Sequence, residues 1–127
     1  MRTTPYAHFD PQALLSDLFD NRDIVRTVLD GFGDWHRTVA GELRAAAESG
    51  DAGQLARISH ALRGTLAQIH ARAAADMARV LEQRCKTPAP GFRPGPSDID
   101  VLLRELHAVA GEVVDYLRRS DTHASAR

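Results

Sequence analysis

The chain has 127 residues, enough for one domain with a core of its own. Hydrophobic residues make up 43% and charged residues 26%, a globular composition, and 16 basic against 17 acidic residues leave a formal charge of -1. That balance gives no overall field for nucleic acid or an anionic membrane. The single cysteine, Cys85, rules out an intramolecular disulfide. The opening MRTTPYAHFD lacks a signal-peptide core, and no apolar run approaches the roughly 18 residues of a spanning helix. The expectation is a cytoplasmic protein.

Apolar residues recur at helical spacing along almost the whole chain. Residues 1–9 are expected to be a flexible N-terminus. A short first helix starts at Asp10, a good N-cap followed by Pro11, with Leu14, Leu15, Leu18 and Phe19 as its stripe. A long second helix spans Asn21 to Ser49, with Ile24, Val25, Val28, Leu29, Phe32, Trp35, Val39 and Leu43 inward. Gly31, Gly33 and Gly41 weaken it internally, and Gly50 stops it. Asp51 caps a third helix carrying Leu55, Ile58, Leu62, Leu66 and Ile69. The fourth runs from Ala73 to Lys86, with Met77, Val80, Leu81 and Cys85 inward. TPAPGFRPGP, residues 87–96, is a loop. Ser97 and Asp100 have capping-box spacing ahead of a last helix from Asp98 to Arg119, and residues 120–127 are expected to fray. One stripe per helix predicts an all-α fold: an antiparallel four-helix-bundle core over 10–119, with a short extra N-terminal helix.

The third helix carries the chemistry. At about 100° per residue its apolar stripe occupies a sector of about 80°, and His60 points roughly 160° from the middle of it. His60 is therefore expected in solvent. Ala56, Arg57, Gly64, Ala67 and Ala71 fall on the same outward side, and Arg63 lies beside it, within reach. A glycine at 64 costs about 1 kcal/mol of helix stability relative to alanine. Since Gly64 points away from the stripe, the gain from it is access: another protein can come close to the imidazole. An imidazole in water has a pKa of about 6.5 and is mostly neutral and nucleophilic near pH 7. A nearby guanidinium can pair with a phosphoryl oxygen. Exposed histidine, base at +3, glycine at +4 and hydroxyl at +5 are a much rarer combination than an exposed histidine alone.

The segment His60-Ala61-Leu62-Arg63-Gly64-Thr65 resembles the motif of histidine-containing phosphotransfer (HPt) domains, His-x-Leu-Lys-Gly-Ser. Gly50-Asp51 with Leu55 and Ile58 ahead of it, and Leu81-Glu82 beyond it, resemble the family too. The resemblance covers about residues 10–118 and is strongest over 50–86. It departs from the family at Arg63 for lysine, Thr65 for serine, Leu66 for a small residue, and His70 for the glycine that ends the motif. The last of these leaves the turn after the third helix open.

The resemblance implies a carrier, not an enzyme. It accepts a phosphoryl group on His60 from a sensor or hybrid histidine kinase, or from a receiver-domain aspartate. It then passes the group to a response-regulator receiver. It further implies that Glu82 can hold the imidazole NH and that Arg79 and Lys86 can assist. The alternatives are an ordinary exposed Glu82 and, favoured for Arg79 and Lys86, solvated surface charges. Arg57, Ala56, Ala67 and Ala71 would form the docking surface with Gly64. The six histidines show no metal-ligand spacing, and there is no Gly-rich phosphate loop, so neither a metal nor another cofactor is expected. A monomer is the implied state. The competing reading is an HPt-like interaction module that binds a signalling partner without carrying phosphate.

Overall fold

The computed structural model describes residues 6–125, with side chains as far as Asp121. Within that span all regular structure is helical. The elements are α1 (Pro11–Asp17), α2 (Arg22–Glu48), α3 (Ala52–Gln68), α4 (Arg72–Lys86) and α5 (Asp100–Ser125), with a 3-10 turn at Pro96–Asp98 before α5. The fold is all-α, and α2, α3, α4 and α5 close a ring: α2 touches α3 and α5, and α4 touches α3 and α5. Leu29, Leu43, Leu55, Leu62, Leu66, Leu106 and Val109 fill the middle of that ring. No helix among the described residues is long and apolar enough to cross a membrane.

The helix ends follow from capping chemistry. Asp10 accepts the amides of Gln12 and Ala13, both at 3.1 Å, and Pro11 opens α1. Asn21 caps α2 through the amide of Ile24, and Asp51 caps α3 through the amide of Gln54. α2 passes unbroken through its three glycines, and a methyl group on any of them would meet nothing within 4 Å. It stops at Gly50, whose φ of +65° closes a Schellman turn: Asp51 N–H donates to Ala46 O and Gly50 N–H to Ala47 O. Arg93, from the loop after α4, lies over Gly50 and donates to Ser49 O at 3.1 Å.

The same turn closes α3, but with a side chain in the left-handed position. His70 has φ 61°, Ala71 N–H donates to Leu66 O, and His70 N–H donates to Ala67 O. The turn left open by the missing glycine thus keeps the glycine geometry. The left-handed backbone at a non-glycine costs about 1 kcal/mol, and His70 offsets it by a 2.6 Å contact from Nε2 to Asp17 at the end of α1.

Several expectations need correction. Phe19 is not on the stripe of α1: the helix ends at Asp17, the chain turns left-handed at Phe19 and Asp20, and the Phe19 ring is 94% exposed. Ile24 and Val80 are also exposed, and α4 buries Ala74, Ala78, Leu81 and Cys85 instead of centring on Val80. Asp98, not Ser97, closes the turn before α5 by accepting Gly95 N–H at 2.8 Å.

Helix and packing contacts reach further toward both chain ends than the expected element bounds. α5 continues past Arg119 to Ser125, because SDTHAS holds no helix breaker and Asp121 pairs with Arg26 of α2. Residues 126–127 of the expected frayed tail lie outside the described residues, as do residues 1–5 of the expected flexible N-terminus. Residues 6–9 instead lie along α5. Tyr6 donates to Asp115, the amides of Ala7 and His8 donate to Glu112, and Phe9 is buried against Tyr6 and Tyr116. His8, expected in a frayed end, sits 2.7 Å from Glu105, and that hydrogen bond lifts its pKa above the ordinary histidine value.

Candidate functional site: an exposed histidine seated on a buried carboxylate

His60 lies midway along α3 with its side chain 65% exposed. One turn on, a Cβ on Gly64 would meet nothing within 4 Å. Packing therefore does not require glycine there, and the space above that turn is open to solvent. Across the α3–α4 interface, Glu82 is buried, yet its carboxylate points at the imidazole: Nδ1 of His60 and Oε2 of Glu82 are 2.9 Å apart.

A carboxylate that deep has to be compensated or it would take up a proton. Burial works to raise the Glu82 carboxyl. The hydrogen bonds from His60 and Lys86, and after them the charge of Arg63, outweigh burial and hold it below the ordinary value of 4.5. Lys86 Nζ donates to Oε2 at 3.3 Å, and Arg63 Nη1 is 3.4 Å from Oε1. Glu82 is thus ionised at neutral pH and can only accept, so the His60 Nδ1 carries the hydrogen it shares. The other ring nitrogen, Nε2, has no hydrogen-bond partner among the described residues.

The residues named from sequence separate into groups. Arg63, Glu82 and Lys86 come together at His60. Arg79 does not join them: it pairs with Asp76 on its own helix at 2.7 Å, as a surface charge would. Arg57 and Ala67 are exposed, with Arg57 donating to Gln54. Ala56 and Ala71 are buried and cannot form a docking surface. The wheel misplaced Ala56 because α3 is flanked on two sides, by α2 and α4, which widens its buried sector beyond one apolar stripe. It misplaced Ala71 because α3 ends at Gln68 and Ala71 is already the N-cap of α4.

Sequence reasoning also passed over Ser59. It is fully buried beside His60, and its hydroxyl has no hydrogen-bond partner among the described residues. Its position about 40° from Leu55 on the wheel, at the edge of the stripe, was the available signal. Cys85 is buried, and burial pushes its thiol up, away from nucleophilic chemistry.

A helical bundle presenting a histidine to solvent midway along a helix, with that ring seated on an ionised carboxylate from the next helix, has the features of a phosphotransfer domain. The Hpt domain family model matches residues 27–112, and the chain belongs to that family, whose members carry phosphoryl groups in phosphorelays. Among solved structures, the chain is similar to histidine-containing phosphotransfer protein B (HptB) from Pseudomonas aeruginosa PAO1. The TM-score is 0.77 at 24% identity, covering 92% of this chain and 98% of that one. At that identity the likeness speaks for the fold. No curated protein matches the sequence.

Proposed function

We propose that the protein is a monomeric cytoplasmic phosphorelay carrier that takes a phosphoryl group on Nε2 of His60. The observation that carries this reading is the 2.9 Å contact between Nδ1 and the Glu82 carboxylate under an imidazole otherwise open to solvent. With the hydrogen kept on Nδ1, the Nε2 lone pair points outward and is available to attack.

The transfer balances as follows. The Nε2 lone pair forms a bond to the phosphorus of a receiver-domain aspartyl phosphate or of a kinase phosphohistidine. The bond from phosphorus to the donor atom breaks, and its electron pair returns to the donor. The ring gains positive charge while keeping its Nδ1 hydrogen, and the buried carboxylate stabilises that charge at 2.9 Å. Onward transfer to the aspartate of a response regulator reverses the step. Arg63 is half-exposed and within an ion-pair distance of Glu82, so it can turn outward to a phosphoryl oxygen. Lys86 keeps Glu82 ionised, and Arg79 has no direct part. Gly64, Arg57 and Ala67 provide the surface on which the receiver or kinase docks. Metal and acid groups needed for the chemistry are supplied by those partner domains.

The test is transfer from phosphorylated receiver domains of the same genome, in the presence of Mg²⁺, to wild type beside His60→Gln. The expected result is acid-labile label on wild type alone, with both proteins equally helical. Receiver binding with no label on either protein would replace this reading with that of an interaction module that never carries phosphate.

A further inference from the structure

α2 and α5 form the side of the ring away from the α3–α4 hairpin, and they frame an open groove of about 470 Å³. Its walls are basic: His36, Arg37 and Arg44 from α2 face Arg104 and His107 from α5. Ala40 and Leu103 make an apolar floor, and no carboxylate lines the groove. Some arginines elsewhere find acids, as Arg26 does with Asp121, Arg79 with Asp76, Arg84 with Asp98 and Arg119 with Asp115; Arg22, Arg72 and Arg118 pair with none among the described residues, but each stands apart from the groove. Arg37, Arg44 and Arg104 pair with no acidic side chain among the described residues. The charge in the groove is therefore uncompensated, although the chain as a whole is near neutral.

His36 reports the same field. The rings of His36 and His107 lie 6.4 Å apart, and His36 stacks on Phe32 with centroids 6.2 Å apart. Partial burial lowers the pKa of His36, and the charges of His107, Arg37 and Arg44 lower it further, with no acid acting in the opposite direction. Facing cationic groups kept together on two helices, without a counter-charge, are a surface that gains from an anion.

We propose that this groove is a binding site for a compact polyphosphate anion. Guanidinium groups match phosphoryl oxygens in charge and geometry. Arg37 and Arg44 leave α2 two turns apart, roughly 10 Å along the groove, so a chain of two or three phosphoryl groups reaches both of them better than one phosphate does. The volume suits a small ligand. Without a Gly-rich backbone cradle, recognition is by side-chain charge, which favours the phosphoryl chain itself over a nucleoside attached to it. The site is separate from His60, and its occupancy does not depend on His60 chemistry.

Calorimetric titration with sodium tripolyphosphate, and in parallel with pyrophosphate, tests this on the full chain. Wild type, Arg37→Gln, Arg44→Gln and Arg104→Gln are compared with Arg118→Gln as a control, with His60→Gln as a second background. The expected result is one saturable site. Each groove substitution should weaken it about tenfold, the loss of one charge-assisted contact, and the control and His60→Gln should leave it within about twofold. Histidine resonances give an independent readout: those of His36 and His107 should shift, and the pKa of His36 should rise when the anion is bound. Three outcomes would overturn the proposal: no saturable binding at millimolar anion, equal weakening in the control, or tighter binding of a glutamate-rich peptide than of tripolyphosphate.

Discussion

Two histidine sites sit on different sides of one helical ring, and their neighbours differ in sign. His60 on α3 is exposed and rests on an ionised carboxylate that two further cations hold in place. His36 and His107, between α2 and α5, have arginines and each other as their charged and titratable neighbours in the groove. The first arrangement fixes one ring hydrogen and stabilises positive charge on the ring, which suits a nucleophile that becomes cationic. The second lowers the pKa of His36 and leaves the neighbouring arginines without a counter-charge, which is the basis of the proposed anion site. The same side chain is given opposite tasks by where the nearest buried carboxylate lies.

The largest effect that would break this contrast is at the carboxylate. Glu82→Gln keeps the size but removes the charge and lets the ring choose either tautomer. Phosphoryl transfer to His60 is expected to slow by about 10–100-fold, the scale of losing one charge-assisted contact in the transition state. Rapid-quench transfer kinetics with a fixed donor would detect it, and a change under twofold would remove Glu82 from the site.

Access comes next. Gly64→Leu meets open space, so the helix should gain about 0.5–1 kcal/mol of stability while transfer falls, since the new side chain stands in the partner's approach. Thermal unfolding and transfer measured on one preparation separate the two. A variant that is stabilised and still transfers at the wild-type rate would refute the access argument.

The acid limb of stability sharpens the same point. The folded pKa of Glu82 lies below 4.5, so its contribution is fully present above that value and is lost as pH falls through the lower folded value. Urea unfolding of Glu82→Gln should therefore depend less on pH than wild type at the acid end. An unchanged acid limb would mean that the carboxylate is not held ionised by its neighbours.

The smallest effect concerns a fourth histidine, His70, which is structural. His70→Ala keeps the left-handed strain and loses the contact with Asp17, while His70→Gly relieves the strain. The glycine variant should be more stable than the alanine variant by about 1 kcal/mol in chemical denaturation. Equal stability would show that the turn relaxes out of its left-handed geometry.

Much of this was legible in the sequence because it is local. Helical periodicity, the caps Asp10 and Asp51, and the stop at Gly50 depend on residues a few positions apart. The exposure of His60 followed from a stripe on its own helix. What failed depended on neighbours that a single helix cannot display. Ala56 is buried by the flanking helices, Ala71 belongs to the next turn, and Phe19 is turned out by a backbone reversal after α1 ended early. α5 is extended by a pair between residues 26 and 121, and the basic groove joins residues about seventy positions apart. The position of Glu82 came from the family resemblance, since no spacing rule links it to His60. Its burial and its two further cations needed the packed hairpin.

The most direct measurement is the position of the phosphoryl group on the ring. The protein can be phosphorylated by a small phosphoramidate donor and studied by phosphorus and nitrogen NMR of the imidazole groups. The prediction is phosphorus on Nε2 of His60 alone, with Nδ1 still protonated and hydrogen-bonded. Phosphorus on Nδ1, or on another side chain, would contradict the account.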